Sequence, residues 1–146
     1  MDHYEKIYFQ LSQDEDGWPP FSVESVWAEP GVNPDEYILD NIPFFIRDAT
    51  LGDTIRVREQ DGQRWFEEVV RPSAHSLIRI FFFDPAQTGR VTARLVDLGC
   101  STEGMPSCKL LAVNIPPEVK LSEVQGYLGS ERDAGVLEYE EPILRQ

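Results

Sequence analysis

The sequence predicts an α+β protein in two merged parts: a small antiparallel β-sheet or partial barrel over residues 1–74, and an α+β unit over residues 75–146. Three observations carry this. Before residue 72, apolar residues recur with a period of two in short runs separated by turn residues, the signature of half-buried strands. Helical spacing of apolar residues occurs after residue 84, in two segments that alternate with further strand-like runs. Between the two patterns lies the break Pro72-Ser73-Ala74.

Residues 5–11 open the chain as a strand, with Ile7, Phe9 and Leu11 on one face. Asp14-Glu15-Asp16-Gly17 is a turn by chemistry, because short acids accept local backbone hydrogen bonds and glycine tolerates positive φ. Pro19-Pro20 stiffens its exit. Residues 21–28 alternate as a second strand with a mixed face, and residues 36–39 form a third, ended by Asp40-Asn41 and Pro43. Phe44, Phe45 and Ile46 then need cover. Residues 54–59 set Ile55 and Val57 against Thr54, Arg56 and Arg58, and Asp61-Gly62 turns this strand back into residues 64–71, since Asp-Gly strongly favours a two-residue hairpin.

The second part begins with the apolar run at residues 76–83, a buried strand. Pro85 suits a helix start, and Val91, Leu95 and Leu98 are spaced for one helical face that Gly99 ends. Residues 100–103 and 109–115 read as two strands joined through Gly104-Met105-Pro106-Ser107. Leu121, Val124 and Leu128 mark a second helix, and residues 136–141 a last strand. The order β-α-β-β-α-β is that of the ferredoxin-like split βαβ arrangement.

Charge is polarised along the chain. The net charge is −13. Residues 1–46 hold ten acids against Lys6 alone; residues 47–117 balance nine acids with nine bases; residues 118–146 hold seven acids and three bases. A field of this sign repels phosphate backbones and anionic bilayers, so neither nucleic acid nor membrane is the expected partner. It favours a protein with a basic surface, because complementary fields speed encounter. The opening Met1-Asp2-His3-Tyr4-Glu5-Lys6 lacks the basic and apolar regions of a secretory signal, no apolar run approaches the length of a bilayer span, and the cysteines are only Cys100 and Cys108. A cytoplasmic, reduced protein is expected.

No catalytic constellation can be read from the sequence, and no enzyme is expected. There is no glycine-rich nucleotide loop. Two cysteines eight positions apart do not make a metal site, so no metal and no cofactor are expected, although the pair could face each other across its hairpin. Acid pairs such as Asp14/Asp16, Asp35/Glu36, Glu67/Glu68 and Glu140/Glu141 lie in turns and on strand exteriors rather than in a defined cleft. Trp27 and Trp65 are expected in the core. Trp18, between an acidic turn and Pro-Pro, is expected at the surface as an interface anchor.

The runs Val26-Trp27-Ala28-Glu29, 37–45 (Tyr-Ile-Leu-Asp-Asn-Ile-Pro-Phe-Phe), Leu51-Gly52-Asp53 and 71–76 (Arg-Pro-Ser-Ala-His-Ser), with 110–117 and 135–140 in the tail, resemble a bacterial family catalogued as a domain of unknown function, number 4265. The resemblance covers nearly the whole chain and departs from the pattern at Ala74, where glycine is expected. It implies a small bacterial cytosolic protein with no assigned enzymology. By analogy such acidic proteins look like immunity proteins of polymorphic toxin systems, and the βαββαβ half is similar to small acidic regulators that inhibit ribonuclease E.

Two readings follow. In the first, the chain is a non-enzymatic acidic binding protein, an immunity protein that covers the active site of a cognate toxin. Asp14, Glu15, Asp16 and Trp18 are its first contacts, with Glu24, Glu29, Asp35 and Glu36 behind them. In the second, a small molecule or substrate uses a cleft between the halves near Arg71, His75 and Ser76. Regulation of a host enzyme as an adaptor or inhibitor is a third possibility.

Overall fold

The computed structural model describes residues 3–146; Met1 and Asp2, which begin the stretch read for a secretory signal, lie outside them. The fold is α+β, and the chain divides into two compact units, the first ending at Ser73 and the second running Ala74–Gln146.

The first unit is built from β1 (Glu5–Gln10), β2 (Val23–Pro30), β3 (Glu36–Leu39), β4 (Thr54–Gln60) and β5 (Gln63–Arg71). Consecutive strands pair antiparallel. An up-and-down meander of five strands brings the fifth back pointing the same way as the first. Closure therefore requires a parallel seam, and Ile7 and Tyr8 of β1 pair with Arg64 and Trp65 of β5 in that sense. The sheet is thus a closed barrel rather than a partial one. Two register irregularities between β4 and β5 supply extra bend, as bulges do. This short seam joins the two outer strands of the meander to each other.

A barrel this small is filled by its own side chains. Ile7, Phe9, Val26, Ala28, Tyr37, Leu39, Ile55 and Val57 point inward, joined by Ile46 and Ala49 from the segment between β3 and β4. Phe9 stacks on Phe66 with ring centres 4.5 Å apart. The phase of β2 corrects one expectation. Because Val26 and Ala28 are the buried pair, Trp27 must point outward, and it is 46% exposed rather than in the core. Trp65 is half-buried, 5.5 Å from Tyr8.

The turn after β3 is fastened from inside. Asp53 is fully buried and its carboxylate accepts the backbone N–H of Thr50 (3.0 Å) and of Ser73 (2.8 Å). The Ser73 hydroxyl in turn donates to the carbonyl of Leu51 at 2.8 Å. Two stretches far apart in the chain, 50–53 and 71–73, are thereby one structural knot.

The second unit contains β6 (Ser76–Phe82), α1 (Thr88–Asp97), β7 (Ser101–Met105), β8 (Leu110–Ile115), α2 (Leu121–Asp133) and β9 (Leu137–Ile143). Its sheet order is β7-β8-β6-β9, and every pair is antiparallel. Ile78, Ile80, Phe82, Leu111, Val113, Ile115 and Leu137 share a core with Val91 and Leu95 of α1 and Leu121, Val124 and Leu128 of α2. The helices are also bridged by charge, Arg90 meeting Glu131 through two hydrogen bonds of 2.7 and 2.8 Å. Gly99 ends α1 at φ 104, and a Cβ there would lie 2.7 Å from the Val119 side chain, so the turn needs glycine for both conformation and space.

Cys100 and Cys108 are both free and do not face each other. Cys100 precedes β7 at the open end of its hairpin, whereas Cys108 closes the 3-10 turn at the other end. Burial pushes the Cys100 thiol up to about 11.

Two outcomes are expected. In the native protein at pH 8, a thiol reagent should modify Cys108 readily and Cys100 only after denaturant is added, read as one and then two thiols per chain. Asp53→Ala leaves two amides without their acceptor and should lower the stability of the first unit by about 3 kcal/mol in urea denaturation.

Candidate functional site

The loop between β1 and β2 builds the most distinctive surface of the first unit. Asp14 organises it: its Oδ1 accepts the backbone N–H groups of Asp16 and Trp18, each at 2.9 Å, and Gly17 turns the chain at φ 78. The Trp18–Pro19 peptide bond is cis. Asp14 is thus a turn-forming residue, while Glu15 and Asp16 are exposed beside it. Trp18 is 40% and Phe21 45% exposed, and both rings pack on Phe45 with centres 5.7 Å apart.

Phe45 belongs to the segment after β3, and that segment is held by Glu24. On β2, Glu24 falls on the same side as the buried Val26 and Ala28. A carboxylate in that position needs donors, and it takes three: the backbone N–H groups of Phe44 (2.7 Å), Phe45 (2.9 Å) and Ile46 (3.0 Å). Glu24 is therefore a positioning residue for the aromatic group.

The remaining expected contacts lie elsewhere. β2 has eight residues and spans about 23 Å at roughly 3.3 Å per residue. Its start adjoins the 11–22 loop; its end leads into the 31–35 loop at the opposite end of the barrel. Glu29, Asp35 and Glu36 sit at that far end, so the eight residues do not form one surface. Glu36 is 5% exposed and pairs with Arg71 at 3.2 Å. A hydrogen bond from Asn33, together with the Arg71 guanidinium, holds its carboxyl below the usual carboxylate range against the opposing effect of burial.

Arg71 is accordingly committed to the first unit. His75 is half-buried at the start of the second unit. Ser76 is fully buried in β6, its hydroxyl accepting the backbone N–H of Arg145 at 2.9 Å.

Two hollows of the first unit were not legible in the sequence. One, of about 450 Å³ at the far end, is lined by Asp35, Tyr37, Arg56, Arg58, Glu59 and Arg64 among others. Its cations are largely matched: Arg56 pairs with Glu68, and Arg64 with Glu5 at 3.2 Å and Glu59 at 3.8 Å. The other, of about 400 Å³, is lined by Tyr4, Trp27, Asp40 and Asn41. Nothing in the sequence points to it, since Trp27 is expected in the core there and only the phase of β2 turns it outward. Among the described residues no group of three or more His, Cys, Asp or Glu side chains is placed to hold a metal ion, and no helix is long and apolar enough to cross a membrane.

The chain belongs to the family described as Domain of unknown function (DUF4265), whose model matches residues 24–139. The matched span includes the 37–45 and 51–53 stretches and begins after the Asp14–Trp18 turn. No curated protein matches the chain. Among solved structures it is similar to a hypothetical protein from Neisseria gonorrhoeae, with TM-score 0.77, 20% identity, and coverage of 100% of this chain and 99% of that one. At that identity the likeness shows the shared fold alone.

The Glu36 carboxyl has a lowered pKa in the folded protein, so its charge stabilises the fold above the usual value of 4.5, and that contribution is lost as pH falls through the lower folded value. Thermal melts of the parent and Glu36→Gln should therefore differ most at neutral pH and converge below pH 4.5. A difference that stays constant down to acid pH would assign Glu36 a packing role instead.

Proposed function

We propose that this chain is a non-enzymatic acidic binding protein of the bacterial cytoplasm, an immunity protein that neutralises a cognate toxin by covering its basic active site. One observation carries the reading: the exposed Trp18 and Phe21 rest on Phe45, in a segment whose backbone N–H groups at Phe44, Phe45 and Ile46 all donate to Glu24, next to the exposed carboxylates of Glu15 and Asp16. Large aromatics held in advance lose little conformational freedom on binding, and aromatic anchors dominate interface energetics. Surrounding carboxylates speed encounter with a basic partner. The polarised charge of residues 1–46 supports the same partner and disfavours nucleic acid and membrane.

The contact surface in this reading is Glu15, Asp16, Trp18 and Phe21, with Asp14 and Glu24 shaping it. Glu29, Asp35 and Glu36 are outside it. The second unit we read as a ferredoxin-like split βαβ. Its strand order and the placement of α1 and α2 between β6 and β7, and β8 and β9, support that arrangement.

The test is co-purification with the product of an adjacent toxin-bearing open reading frame, followed by binding kinetics. Glu15→Lys/Asp16→Lys, which spares the hydrogen bonds of Asp14, should slow association roughly tenfold or more at low salt, with the loss shrinking as salt rises. Trp18→Ala should speed dissociation by a similar factor. Unchanged kinetics in both variants would remove this surface from the interface.

A further inference from the structure

The second hollow of the first unit has a chemistry of its own. It is walled by the rings of Trp27 and Tyr4, 46% and 41% exposed, and by Asp40 and Asn41. The ring of Trp27 already carries a cation: Lys6, its register partner across β1 and β2, places its ammonium 5.3 Å from the ring centre. The ring quadrupole that holds this ammonium attracts any cation brought over an accessible part of the ring system.

The walls are fixed in advance. Asp40 donates its backbone N–H to the Trp27 carbonyl at 2.9 Å, and Asn41 Oδ1 accepts the backbone N–H of Trp27. The segment bearing the carboxylate is thereby tied to the strand bearing the indole. Asp40 is exposed, Glu29 lies two residues from Trp27 on the same outward face of β2, and Lys6 is the one base in residues 1–46.

We infer that the Tyr4–Trp27–Asp40 hollow binds a guanidinium, presented as an arginine side chain of the basic partner. The planar cation would lie against the indole, with the Asp40 carboxylate accepting its N–H groups, a pairing that guanidinium geometry favours over ammonium. The inference rests on the partner reading above and adds a second contact, separate from the Trp18 group. Its test uses the isolated protein and a small probe, so that each idea can fail without the other.

The probe is N-acetyl-arginine amide, with the uncharged N-acetyl-citrulline amide as its control. The readout is the three tryptophan indole N–H resonances, assigned by single Trp→Phe substitutions. The arginine probe should shift the Trp27 indole saturably, with a dissociation constant on the order of millimolar, and should leave that of Trp65 in place. Citrulline should shift neither. Asp40→Asn should weaken the probe roughly three- to tenfold, the range expected of one exposed cation contact. Lys6→Gln should tighten it roughly threefold, because the internal cation that competes for the indole is gone. A Trp27 shift that does not saturate, that citrulline reproduces, or that Asp40→Asn leaves unaltered would overturn the site. If the site persists while Glu15→Lys/Asp16→Lys and Trp18→Ala leave partner binding unchanged, the reading of the Trp18 surface falls and the cation site stands.

Discussion

The phase of β2 is the constraint on which the first unit depends. A strand in a closed barrel offers its side chains two environments in strict alternation, and one assignment settles all of them. With Val26 and Ala28 inward, Glu24 must also lie on the core side and Trp27 must face out. The inward carboxylate cannot stay without donors, so it captures three amides of the segment after β3. The outward indole cannot be covered by the barrel, so it becomes one wall of a surface hollow. A one-residue slip of this strand would turn Trp27 inward and Val26 and Ala28 outward, and leave both surface features unmade.

The acids of the chain therefore divide into three kinds with different physics. Asp14, Glu24 and Asp53 act as backbone acceptors: each binds two or three N–H groups and shapes a turn. Glu36, Glu68 and Glu131 are matched by arginines, and Glu131 has its carboxyl pKa lowered by the hydrogen bond from Arg90. Glu15, Asp16, Glu29 and Asp40 remain exposed on the surface of the first unit. The third kind can act on a partner at no structural cost, which is why the proposed contacts draw on it. The aromatic residues separate along the same lines: Phe9 and Phe66 stack inside the barrel, while Trp18, Phe21 and Trp27 stand at its surface.

Much of the fold was legible in the chain. Period-two runs, the Asp61-Gly62 turn, Pro85 and Gly99 mark elements that the structure places within two or three residues of where the sequence puts them. These signals are local: a turn residue acts on its own φ, and a periodic run shows its buried face wherever that face packs. The candidate site was less legible. Sequence proximity grouped eight residues from 14 to 36 into one surface, but a strand about 23 Å long carries the chain from one end of the barrel to the other between them. The role of Glu24 was invisible, since its partners are twenty or more residues away. The Cys100–Cys108 pair misled in the same way, because nearness in sequence does not say which end of a hairpin a residue occupies.

By itself the sequence determined the α+β class, the order of strands and helices, the end of α1 at Gly99 and the concentration of acid in residues 1–46. Each of these follows from residues acting alone or on near neighbours. Only the tertiary structure decided that the barrel closes through a parallel seam, that Glu24 rather than solvent holds Phe45 in place, and that Trp27 meets Tyr4 and Asp40. Those outcomes depend on which distant segments a strand lies beside, and that is set by closure of the whole sheet.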